Sequence, residues 1–173
     1  MTLRRSRGLT LIEIVVALAV LAVLGTIALP GFGARLDRER LHGAAQALAA
    51  DLNEARFEAA RQGRALHLVA VDGPAWCWAV ATTPDCPCGG GQGCQLRSAR
   101  EQDHPGVALR TPGHVELRAD GRAGTPAVAF ELESARGLRL RVSLGAMGRA
   151  QVCTLSSPAA DALRRHPLCA GGL

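Results

Sequence analysis

The chain opens on an apolar run and then changes period twice. Positions 9–29 make 21 residues with one charge among them, Glu13. As a helix this run would be about 31 Å long, enough to cross a bilayer. Pro30 follows, and a residue without an N–H can kink a helix. Next, Leu41, Ala45, Leu48, Leu52, Ala55 and Ala59 recur at steps of four and three. That spacing predicts an amphipathic helix with one apolar stripe. Arg38, Glu39, Asp51, Glu54 and Arg61 fall on its other side, and Gly63 is a natural stop. From Arg64 the period becomes two. Strands are predicted at 66–71, 76–80, 107–110, 115–118, 128–132, 138–144 and 150–155. Asp72-Gly73-Pro74, Asp120-Gly121, Arg136-Gly137 and Met147-Gly148 supply turns between them. The stretch PDCPCGGGQGCQ, 84–95, is predicted to be a loop. Trp76 and Trp78 share one strand face and are expected to cover the core, with Cys77 on the other face. The predicted class is α+β, a long N-terminal helix packed on an antiparallel sheet.

Charge adds little to this picture. All 20 basic residues are Arg, against 15 acidic ones, for a net charge of +5. Arg4, Arg5 and Arg7 precede the apolar run; without them the balance is 17 − 15 = +2. The basic total therefore overstates any general pull toward nucleic acid. His42, His67, His104, His114 and His166 are scattered. No Ser-His-Asp or Cys-His grouping follows from their spacing. No paired carboxylates stand out, the glycine-rich loop lacks the Gly-Lys-Ser/Thr of a phosphate loop, and no enzyme and no cofactor are predicted.

The six cysteines, Cys77, Cys86, Cys88, Cys94, Cys153 and Cys169, are an even number behind an export-like segment, which favours disulfides. Zinc fits less well: Cys86-Pro-Cys88 is a C-x-C, and no His lies at ligand spacing beside it. Cys153 ends a predicted strand, and Cys169 lies in a tail broken by Pro158 and Pro167. These two are expected to pair. Cys77, Cys86, Cys88 and Cys94 are left to pin the glycine loop, with their individual pairing unassigned.

Glu13 decides between readings of the N-terminus. A buried carboxylate is expensive in a bilayer and tends to mark a partner. A removable signal peptide, with a small-residue site near Thr26-Ile27-Ala28, leaves it unexplained. So does a plain anchor. Twin-arginine export lacks the apolar residues expected soon after Arg4-Arg5. The ordered set of an Arg-rich leader, Gly8, then Leu9-Thr10-Leu11-Ile12-Glu13 and an unbroken apolar run resembles the N-terminus of type IV pilins and pseudopilins. The resemblance implies cleavage between Gly8 and Leu9, methylation of the new Leu9 amine, and Glu13 at the fifth mature position. Pro30 falls at mature position 22, where the family often has proline. Leu9 stands where phenylalanine is commonest. In the family, Glu13 would pair with the terminal amine of a neighbouring subunit, a desolvated pair that sets register more surely than it stabilises. The implied partners are other pilins or pseudopilins, the prepilin peptidase and inner-membrane lipid. The implied location is the inner membrane, in a single pass with the C-terminal domain in the periplasm. The domains read as leader 1–8, membrane and filament-core helix 9–30, amphipathic helix 31–63, and β domain 64–173.

The segment GAMGRAQVC, 145–153, resembles the GspH/FimT branch of minor pseudopilins. GspH-like members imply a structural subunit of the type II secretion pseudopilus. FimT-like members imply a minor pilin, and some of these bind DNA through Gly-Arg-x-Arg. Here that motif reads Gly148-Arg149-Ala150-Gln151, with Gln in place of the second Arg. Against this, 134–173 holds six Arg and one acid, Asp161. Arg139, Arg141, Arg149, Arg164 and Arg165 are thus the candidate phosphate contacts, expected to converge across the hairpin at 145–148. A solvated strand face with a basic tail is the competing reading. The function expected is secretion-pseudopilus assembly, with DNA uptake as the alternative.

Overall fold

The computed structural model describes residues 10–90, 93–124, 128–145, 147–155 and 166–169, leaving aside the side chains at 27–31. Two compact units make up the chain, Met1–Leu36 and Asp37–Leu173. Helix α1 is assigned from Leu11–Gln62. Helical backbone continues through Pro30, where the sequence suggested a break between two helices. A proline deletes one bond of the ladder, and the turns on either side can still propagate. In the first unit the apolar side chains of 11–24 are exposed. Among the described residues, no helix is long and apolar enough to cross a membrane. The run 9–29 reaches beyond those residues.

The second unit holds eight strands among the described residues: β1 Leu66–Val71, β2 Cys77–Ala81, β3 Gln95–Arg100, β4 Val107–Leu109, β5 Gly113–Leu117, β6 Val128–Ser134, β7 Arg139–Leu144 and β8 Ala150–Thr154. They form two antiparallel four-stranded sheets, ordered β3-β2-β1-β5 and β4-β6-β7-β8, where one sheet was expected. Strand β3 was not predicted. It lies at a sheet edge with only Ala99 buried, so alternation had almost nothing to report.

The helical stripe closes the core. Leu41, Leu48, Leu52 and Ala59 pack with Leu66, Leu68 and Trp78 of the first sheet and with Phe130, Leu140 and Val142 of the second. Both indoles are buried with their N–H groups satisfied, as a buried tryptophan requires. Trp76 Nε1 donates to Val107 O and Trp78 Nε1 to Asp51 Oδ2, each at 2.8 Å. The two rings stack at 5.3 Å, and His104 stacks on Trp78 at the same distance. The tryptophans are core, as the strand pattern suggested.

Disulfides cover what the helix does not. Every residue of β2 is buried, because Cys77 and Ala79 on its outer face lie under Cys88. Bonds Cys77–Cys88 and Cys86–Cys94 fold the glycine-rich loop over that face. Cys153–Cys169 ties the C-terminal segment to β8, with Cα atoms 4.9 Å apart. Thr154 N–H donates to Pro167 O and Cys169 N–H to Thr154 O, at 2.9 and 3.0 Å. Closing a loop of this size contributes about 3 kcal/mol in the chain-entropy account.

Candidate assembly helix and candidate phosphate-binding face

Gly8 and Leu9, the expected cleavage pair, lie outside the described residues. The first described turn explains part of Glu13. Thr10 precedes the helix, and the Glu13 N–H reaches Thr10 Oγ1 at 3.4 Å and Thr10 O at 3.1 Å. Thr10-Leu11-Ile12-Glu13 has the Thr-x-x-Glu spacing of a capping box, and a carboxylate in the first turn also suits the positive end of the helix dipole. That spacing was visible in the sequence and is a second reason for an acid at this position. It leaves the surrounding surface unexplained. Leu11, Ile14 and Leu18 are 81%, 49% and 60% exposed, and Leu21 and Leu24 are exposed as well. Apolar area left in water costs roughly 25 cal/mol per Å². Contiguous exposure of this kind marks a surface that something else covers.

The Arg-bearing face is largely neutralised. On β7, Arg139 and Arg141 point outward beside Leu140 and Val142, which point into the core. The β6–β7 register sets Glu131 opposite Arg141 and Glu133 opposite Arg139. Arg141 Nη2 lies 2.8 Å from Glu131 Oε1, and Arg139 Nη2 lies 3.4 Å from Glu133 Oε2. Arg110 also reaches Glu133, at 2.6 Å. Three cations against two anions leave this patch at 3 − 2 = +1. Cross-strand pairs of opposite charge stabilise a sheet by about 0.2–1 kcal/mol each and dilute the field that phosphate would feel.

The expected convergence with Arg149 does not occur. Arg141 pairs with Cys153 and Leu144 with Ala150, so Arg149 lies beyond the far end of the hairpin from Arg139. At about 3.3 Å per residue it is roughly 13 Å along the strand from Arg141 and 20 Å from Arg139. Side-chain alternation fixed which face the arginines share, whereas their separation depends on register. Arg149 is exposed and makes no ion pair among the described residues. Arg164 and Arg165 lie outside the described residues. Elsewhere, a cavity of about 280 Å³ is lined by Asp51, Glu54, Glu58 and Arg97 among others, an acidic balance unsuited to phosphate.

Gly148 has a role that sequence reasoning missed. Its φ is +70°, and a Cβ placed there would lie 2.3 Å from Gly121 O and 3.1 Å from Arg56 Cδ. The helix holds this corner at two points. Arg56 Nε donates to Gly121 O at 2.8 Å, and Asn53 Oδ1 accepts from Ala150 N–H at 3.0 Å. Gly148 N–H closes the turn on Gly145 O at 2.8 Å. The Gly-Arg pair is therefore a packing device at its first residue. The sequence signal was the glycine in a turn, but its contact lies 27 residues away. The histidines, read as isolated, also pair: His42 Nδ1 with His166 Nε2 at 2.6 Å, and His67 Nδ1 with His114 Nε2 at 3.1 Å.

The family model for Type II transport protein GspH matches residues 44–155, and the model for the prokaryotic N-terminal methylation motif matches residues 3–29. No curated protein matches the chain. Among solved structures, the type IV minor pilin FimU of Pseudomonas aeruginosa strain PAO1 is similar in two crystal forms. One has 22% identity over 66% of this chain and 89% of that one, with a TM-score of 0.52. The other has 22% identity over 64% and 90%, with a TM-score of 0.48. Identity at this level speaks to the fold alone, a long helix packed on antiparallel sheets.

Proposed function

The chain belongs to the GspH family of type II transport proteins, and on that premise we propose that it is a minor pseudopilin, a structural subunit of the secretion pseudopilus. One observation carries the reading: the described residues of 37–169 contain their own core, while the apolar side chains of 11–24 are exposed, with no cover among the described residues. Lipid before assembly and neighbouring helices after it would supply that cover. Glu13, at the helix start, would then meet the Leu9 amine of a neighbour in a desolvated filament core, where a matched pair sets register. The neutralised Arg139 and Arg141 favour the secretion role over DNA capture. The subunit would sit in the inner membrane with its disulfide-bonded domain in the periplasm. Intact mass of the membrane-extracted chain tests the processing step. Leu9 as first residue with one added methyl group is expected, and a mature start after Ala28 would refute it. Deleting the gene should reduce protein secretion and leave DNA uptake intact; the reverse pattern would overturn the assignment.

A further inference from the structure

His67 and His114 stand on neighbouring antiparallel strands at the open edge of the first sheet. In the β1–β5 ladder His67 faces Glu116, and Val69 faces His114. The two imidazoles are therefore diagonal neighbours on the outer face, while Leu68 and Val115 between them point into the core. Their nearest nitrogens, His67 Nδ1 and His114 Nε2, are 3.1 Å apart. In the absence of an ion one proton can serve both. We propose that this pair binds a divalent transition-metal cation of the zinc class, with Glu116 beside it as the supporting carboxylate.

The geometry fits such an ion. Two imidazole nitrogens each about 2.0–2.1 Å from one zinc stand 3.1 Å apart when the N–Zn–N angle is about 98°. A tetrahedral angle near 109° needs only a few tenths of an ångström more. The other histidine pair makes the contrast. His42 Nδ1 and His166 Nε2, at 2.6 Å, would require an angle of about 79°, too narrow for two ligands of one zinc. Glu116 stands directly opposite His67 in the ladder and brings a carboxylate to the same outer face. Imidazole nitrogen suits zinc, copper and nickel, whereas calcium and magnesium prefer all-oxygen sites. Among the described residues no group of three or more His, Cys, Asp and Glu side chains forms a ready cage. The ion would therefore keep water in its remaining positions. Bound there, it clips the edge strand β5 to β1.

The test is calorimetric titration of the tag-free mature chain, in nonionic detergent near neutral pH, with zinc chloride. Saturation at one ion per chain is expected. His67→Asn and His114→Asn should each remove the binding. Glu116→Gln should weaken it about tenfold, the usual effect of an outer carboxylate. His42→Asn should leave it unchanged. Denaturant unfolding guards against misfolded variants: without zinc all should unfold at the wild-type midpoint, and with zinc the midpoint should rise only where both ligands remain. The proposal is overturned by absence of saturable binding, by one ion per two chains, or by undiminished affinity in His67→Asn and His114→Asn.

Discussion

Replacing Gly148 by alanine tests the corner where the hairpin meets the helix. Two separable costs follow from the structure. The φ of +70° places an L-residue in the left-handed region, worth about 1–2 kcal/mol. The new Cβ also meets Gly121 O at 2.3 Å, a contact that cannot persist. Something must move, and the atom in the way is backbone. Overpacking of this kind costs about 1–3 kcal/mol, and it also threatens the Arg56–Gly121 hydrogen bond. The total expected is about 2–5 kcal/mol. Gly137 provides the control. Its φ is +76°, yet its Cβ would find nothing closer than Glu133 Oε1 at 3.9 Å. Gly137→Ala should therefore show the backbone term alone, about 1–2 kcal/mol. The chain has two tryptophans, both buried in the second unit, so fluorescence during guanidinium unfolding reports on the right domain. Equal destabilisation by the two variants would show that the close approach at Gly148 does not exist.

Two further outcomes follow. Burial beside the indoles lowers the pKa of His104, so the unfolded chain takes up its proton first as pH falls below about 6.5. Stability present above that pH should decline toward pH 5, and His104→Gln should flatten the profile, leaving the slope due to His67, which burial also depresses; an unchanged profile in the variant would refute the stack as its source. Gel shifts with random duplex DNA should show at most weak, salt-sensitive binding, about 10⁻⁴–10⁻⁶ M, that strengthens in Glu131→Gln/Glu133→Gln and in Gln151→Arg and fades in Arg149→Ala. Submicromolar binding by the wild type at physiological salt would instead support the DNA-uptake role.

Local patterns carried most of the strands but not their partners. The alternation of Leu140, Val142 and Leu144 with Arg139, Arg141 and Ser143 was legible because one face is buried and the other solvated. Gln95–Arg100 escaped because an edge strand with a single buried residue has no such contrast. The division into two sheets, the Cys77–Cys88 and Cys86–Cys94 pairing, and the distance from Arg141 to Arg149 all depend on register and topology, which alternation does not encode. Glu13 was conspicuous through its cost in an apolar run, and Thr10 beside it supplies a cap that the same four letters spelled out. Gly148 could be read as a turn residue; the carbonyl it packs against becomes a neighbour only after folding.

The N-terminal helix is expected to complete its packing inside a filament of similar subunits. The direct measurement is recovery of the chain in filaments sheared from cells that overproduce the major pseudopilin, comparing wild type with Glu13→Ala. The wild-type chain should be recovered with the filaments. The variant should remain in the membrane fraction, correctly disulfide-bonded and with wild-type tryptophan unfolding, because Glu13 lies outside the Asp37–Leu173 unit. Recovery of the variant at the wild-type level, or absence of the wild-type chain from the filaments, would contradict it.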